Sequence, residues 1–245
     1  MRKEPFVTGE IYHLYNRGTD KRDIVLDKKD RDRFVESILK FNTLKPIGSI
    51  YENSFRERKK LGHPMSKLDL PLVEFIAFSL NRNHYHFLVK QLSDNGIEKF
   101  IQKFGNGYTK YFNNKYNRSG VLYQGKFKSI HVDSDQYLMH LSVYINFNNQ
   151  LSGQKSSLTL SSLEYYLGGK SVVPCVNDII MDRFNRKGDY GAFARTALEV
   201  IEKNKRMETE LDKDKKFEIE ENPENVKTWT SDVQVGKVAK KEKKS

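Results

Sequence analysis

Two apolar, strand-length runs, PLVEFIAFSL (71–80) and HYHFLVKQ (84–91), are separated by only Asn81-Arg82-Asn83. A polar link of three residues leaves no room for a crossover, so the two runs fold back on each other as an antiparallel hairpin. The middle of the chain is therefore committed to an antiparallel sheet, and the flanking text supplies its partners. GEIYHLYNRG (9–18) alternates as a strand does: Ile11, His13 and Tyr15 face one way, Tyr12 and Leu14 the other. Three helical segments surround these strands. In 27–41, Phe34, Ile38 and Phe41 form a stripe behind a candidate cap at Asp30. In 94–117, Ile97, Phe100, Ile101, Phe104 and Tyr108 do the same behind Asp94. In 133–149, Leu138, Leu141 and Ile145 face inward. The stretch 118–134, with two glycines, reads as loop plus short strand.

The organised text spans residues 1–170, interrupted at 42–70 by Pro46, Gly48, Gly62, Pro64 and the charge run RERKK, which read as an inserted loop. Residues 171–200 read as a small helical extension. Residues 201–245 hold 12 Lys/Arg and 11 Asp/Glu with little apolar content, so a disordered, nearly neutral tail is expected.

Charge and cysteine usage narrow the function classes. Lys+Arg is 43 against 32 Asp+Glu, a net charge of +11, with 12% aromatic residues. The excess is not in the tail. Between 97 and 131 stand Lys99, Lys103, Lys110, Lys115, Arg118, Lys126 and Lys128, against the single acid Glu98. Tyr108, Tyr111, Phe112, Tyr116, Tyr123 and Phe127 interleave with them. Cations that track phosphates beside rings that stack bases suit a single-stranded nucleic-acid surface; rings in a core under covering lysines give the same text. No apolar run reaches the roughly 18 residues of a membrane span. The lone Cys175 excludes an internal disulfide and a Cys-based zinc site. The start MRKEPFVTGE lacks an apolar signal region, and a cytoplasmic setting is expected.

His84 and His86 lie two apart in a strand, so they project from one face while Tyr85 points to the other. Two adjacent imidazoles begin a divalent metal site; a packed strand pair reads the same way. In the helix 133–149, Tyr144 and Asn148 are four apart and share a face. Tyrosines 108, 111, 116 and 137 have no amide four residues on. An asparagine oxygen is a reasonable hard ligand beside two imidazoles.

FSLNRNHYHFLVK resembles the HUH (His, hydrophobic, His) motif of single-tyrosine transposases, of the insertion-sequence 200/605 type and the REP-associated tyrosine transposases. IYHLYNRGTDKRDIVLDKKDRDRFVESIL is similar to that family's opening strand and helix. RSGVLYQGKFKSIHVDSDQYLMHLSVYINFNN is similar to the block leading into its catalytic helix, and SSLEYYLGG to the segment after that helix. Family members often carry Pro where this chain has Arg82, and Asn-Pro where it has Asn148-Asn149. The resemblance implies an α+β fold: a ferredoxin-like core, an antiparallel sheet with the histidine pair on a central strand, and the catalytic tyrosine on a following helix. It implies His84, His86 and Asn148 as ligands of Mg²⁺ or Mn²⁺ and Tyr144 as nucleophile. The implied reaction cleaves and rejoins single-stranded DNA beside a hairpin through a 5′-phosphotyrosine, in a monomer or a homodimer. The alternatives are a non-cleaving single-stranded DNA- or RNA-binding regulator on the same fold, and a relaxase or replication-initiator nuclease.

Overall fold

The computed structural model describes residues 5–45, 48, 50, 70–154, 156–184 and 187–213. The strands are β1 (Ile11–Arg17), β2 (Val73–Leu80), β3 (His84–Gln91), β4 (Lys128–His131) and β5 (Leu160–Ser161). The helices are α1 (Lys28–Phe41), α2 (Gly96–Lys115), α3 (Asp135–Asn146), α4 (Asn148–Leu151), α5 (Leu163–Tyr166), α6 (Asp178–Met181) and α7 (Lys187–Lys213). The hairpin forms between β2 and β3, and the sheet runs β4-β1-β3-β2-β5 with every pairing antiparallel. The sequence β1-α1-β2-β3-α2-β4 in the spatial order 4-1-3-2 is the ferredoxin-like arrangement, and β5 extends it beyond β2. β3 is central, and His86 lies between Tyr15 of β1 and Ser79 of β2.

Strand alternation gives the sheet two apolar faces. Tyr12, Leu14, Tyr85, Phe87 and Val89 face α1 and α2, meeting Phe34, Ile38, Phe100, Phe104 and Tyr108. Gly107 lets α1 come close to α2, because a Cβ there would stand 2.3 Å from the Phe41 ring. Ile76, Leu88 and Ile130 face the opposite way, toward Leu138, Leu141 and Ile145 of α3 and Tyr190, Ala194, Ala197 and Ile201 of α7. Burying each large side chain contributes about 1.5–3 kcal/mol, so both layers are held mainly by their apolar stripes.

Several helix ends differ from the sequence reading. Asp27, not Asp30, caps α1: its carboxylate accepts from the Asp30 N–H at 2.9 Å, and Asp30 reaches back to complete a capping box. The cap position of α2 is Asn95, in the left-handed region, while Asp94 accepts from Thr8 Oγ1. The Gln91 side chain meets the Ile97 N–H instead. The helix expected over 133–149 is two pieces: Ser134 caps α3, which ends at Asn146, and Phe147 (φ −100°, ψ 6°) separates it from α4. Residues 171–200 are not set apart from the core, since Val173 and Cys175 join one apolar layer and Tyr190 the other. α7 continues past 201 to Lys213. Most of the expected insertion (46, 47, 49 and 51–69) and the tail beyond 213 lie outside the described residues. Among the described residues no helix is long and apolar enough to cross a membrane.

Candidate active site

β3 directs His84 and His86 to the face covered by α3, and the turn before β3 surrounds them with amides. Asn83 donates to the Lys21 carbonyl, so its oxygen is left to accept. That oxygen receives the His84 Nδ1 proton at 2.7 Å and a Gln154 N–H at 3.0 Å. With its proton on Nδ1, His84 presents a bare Nε2, which stands 2.9 Å from Asn148 Oδ1. Both atoms are acceptors. The Asn81 amide bridges them, donating to His84 Nε2 at 2.7 Å and to Asn148 Oδ1. The break at Phe147 does not remove Asn148 from the Tyr144 side of the helix: α4 begins at Asn148, which points at His84.

His86 is 3% exposed. Its Nδ1 lies 2.9 Å from Nε2 of His13, and its Nε2 has no partner among the described residues. Burial, then the neighbouring His13 and His84, hold the His86 imidazole well below its ordinary pKa of 6.5. Burial holds His13 down to about 3. Both rings are therefore neutral near pH 7. The Tyr144 ring stands edge-on to His86, with centroids 5.6 Å apart, and edge-on to His13 at 6.5 Å. Tyr144 is 6% exposed.

The donors suit a divalent ion. One imidazole lone pair and one amide oxygen converge at His84 and Asn148, and the buried Nε2 of His86 has nothing to bind. No group of three His, Cys, Asp or Glu that could hold a metal occurs among the described residues, so an ion bound here would need the oxygen of Asn148 as well.

Beside the histidines lies a cavity of about 520 Å³. Its wall includes Tyr15, Arg17, Lys21, Gln124 and Lys128 as well as His84 and His86, but not Tyr144. Arg17 is the β1 partner of His84 and donates to Gln124 Oε1 at 2.6 Å. Lys128 Nζ lies 6.0 Å from the Tyr15 ring centre.

Of the seven basic residues singled out in 97–131, Lys128 lines this cavity. The positions on α2 belong to the opposite face of the sheet. Lys99 donates to the Asp94 carbonyl, and Lys103 to the carbonyls of Thr43 and Lys45 at the end of α1. Lys115 is paired with Asp27 and Asp30 at 2.8 and 2.7 Å. Arg118 donates to Asn113 and lies over the Phe112 ring. Lys110 and Lys126 are exposed.

His13, Arg17 and Asn81 were missed in the sequence. The alternation of Ile11, His13 and Tyr15 continues to Arg17, so that signal was present. Asn81 reads as a turn residue, and His13 becomes relevant only through β1–β3 pairing.

Residues 67–148 match the family described as Transposase IS200 like, a segment that contains His84, His86, Tyr144 and Asn148. No curated protein matches the chain. The chain is similar to a REP-associated tyrosine transposase solved with a REP hairpin, at 10% identity and a TM-score of 0.42, covering 72% of this chain and 91% of that one. It is similar as well to a Deinococcus radiodurans protein assigned as a transposase, at 12% identity and a TM-score of 0.34, covering 64% and 100%.

Proposed function

We propose, from the match of residues 67–148 to the IS200-like transposases, that the chain is a transposase of that kind, which cleaves and rejoins single-stranded DNA through a 5′-phosphotyrosine on Tyr144, with a divalent ion. The observation that carries the reading is the convergence of His84 Nε2 and Asn148 Oδ1 at 2.9 Å, beside the unpartnered His86 and the ring of Tyr144.

His84, His86 and Asn148 would hold Mg²⁺ or Mn²⁺, and an ion bound there would supply Lewis-acid stabilisation of charge on the scissile phosphate. Arg17, Lys21 and Lys128 offer positive charge to the strand's phosphates around the cavity, and Tyr15 offers a face on which a base can stack. The Tyr144 oxygen attacks phosphorus as its own proton leaves. The P–O3′ bond breaks, and the departing oxygen takes up a proton to give a free 3′-OH. The new Tyr–O–P bond keeps the phosphodiester energy, so a later 3′-OH attack reseals DNA without a nucleotide cofactor. Because Tyr144 packs on His86 and does not line the cavity, the reaction requires the phenol to turn toward the bound strand.

That same packing favours a second reading, in which the fold binds single-stranded DNA and does not cut it. The test incubates the protein with end-labelled single-stranded hairpins, including DNA flanking its own gene, and Mn²⁺. The expected result is a covalent protein–DNA adduct on a denaturing gel that is lost in Tyr144→Phe and with chelator, and kept in Tyr15→Phe. Salt-sensitive binding without an adduct leaves the non-cleaving reading.

A further inference from the structure

The geometry points to His13 as the positioning residue of His86: it accepts the His86 Nδ1 proton and so keeps the lone pair of His86 Nε2 free for the cation. This rests on the metal site proposed above, and adds to it a third histidine brought from β1, 73 residues away in sequence.

One proton lies between His13 Nε2 and His86 Nδ1, which are 2.9 Å apart and buried. Two arrangements are open. If His13 carried that proton, His86 would be a donor at Nε2, where no acceptor stands and no cation could bind. If His86 carries it, Nε2 is bare, and the donor without a partner is Nδ1 of His13. The second arrangement matches the neighbour. His84 likewise gives its Nδ1 proton to a fixed acceptor, Asn83, and presents Nε2. The two imidazoles would then face the cation alike, each held by an acceptor behind it. This is how a second layer of hydrogen bonds sets the tautomer of a ligating histidine.

His13 does not act as a third ligand. Its Nε2 is occupied by His86, and it does not line the cavity that His84 and His86 line. Its ring is also fixed from the side, stacked on Tyr15 with centroids 5.1 Å apart. The ring stack sets where Nε2 points, so the acceptor is preorganised.

The test uses the full chain and two variants. Mn²⁺ binding is measured by calorimetry, and the imidazole nitrogens are read by long-range ¹H–¹⁵N correlation in chelator and in Mg²⁺. In the wild type His86 should appear as the Nδ1–H tautomer in Mg²⁺. His13→Leu, which has no acceptor, should weaken Mn²⁺ binding by about 10–100-fold and lose that tautomer. His13→Gln, whose side-chain oxygen can accept, should restore both, which a purely structural role for the ring would not do. Mn²⁺ affinity in a folded His13→Leu within about twofold of wild type overturns the proposal, as does failure of His13→Gln to recover any affinity while unfolding like the wild type. If the wild type binds no Mn²⁺, the metal site falls, and the tautomer then decides His13's role separately: Nε2–H on His86 overturns it.

Discussion

His13 is fully enclosed, and its imidazole is held down to about 3 by burial alone. The unfolded chain protonates this group near 6.5, so between about 3 and 6.5 the unfolded state binds the extra proton. The stability that comes from keeping His13 neutral is therefore full above pH 6.5 and is lost as the pH falls. The slope is about 1.4 kcal/mol per pH unit for one such group. His140, also lowered by burial, acts in the same direction. In chelator, urea unfolding should give a free energy lower at pH 5.5 than at 7.5, and His13→Gln should remove a share of about 1 kcal/mol from that difference. An unchanged slope in the variant would show that His13 is not the group that titrates. At this scale the sequence was uneven. The spacing of His84 and His86, and of Tyr144 and Asn148, is local and therefore readable. The bridge made by Asn81 and the contact of His13 with His86 are products of tertiary folding, and no spacing in the text announces them.

α3 is held in place by a buried chain of hydrogen bonds as well as by its apolar side. Asn146 donates to Tyr190 of α7 at 2.8 Å, and its oxygen accepts from Ser162, which in turn accepts the Phe78 N–H of β2 at 3.0 Å. The helix that carries Tyr144 is thus tied to a central strand and to α7 at its C-terminal end. Tyr190→Phe leaves the Asn146 N–H buried without its acceptor, a loss of about 1–3 kcal/mol. For a chain of this size the melting temperature should fall by roughly 2–12 °C. Below that temperature the adduct should form more slowly while DNA binding holds, because the bond aims the tyrosine helix and touches no phosphate. An adduct rate equal to wild type would limit Tyr190 to stability. The hairpin, β1, α1 and α2 were legible because their stripes are long and strongly apolar. α7 was only half legible: Tyr190, Ala194, Ala197 and Ile201 make a thin stripe in charged text, and two of the four are alanines, which carry little pattern. The break at Phe147 was hidden because apolar spacing continues across it.

Over the whole molecule, a net charge of +11 does not say where a strand lies. The folded chain divides its cations by task. Lys115 joins α2 to the N-terminus of α1 through Asp27 and Asp30, the latter 0% exposed, and Tyr111 and Tyr116 complete the same cluster. Burial alone would lower the Lys115 ammonium, but hydrogen bonds to Asp27 and Asp30 outweigh it and raise it. Lys128 instead stands at the cavity, with Arg17 and Lys21 in the same wall. Each phosphate contact on a single strand contributes about 0.7 to the slope of log affinity against log salt. Lys128→Gln should therefore reduce that slope by about 0.7 and leave unfolding nearly unchanged, measured by fluorescence anisotropy between about 50 and 200 mM salt. Lys115→Gln should do the reverse: the slope stays, and stability drops by about 1.5–3 kcal/mol because the buried Asp30 carboxylate loses its charged donor and keeps only neutral ones. The comparison is made at a temperature where both variants are folded. A slope that falls in Lys115→Gln and holds in Lys128→Gln would move the strand to the α2 face, away from the histidines. The chemistry at Tyr144 would then have no bound substrate within reach.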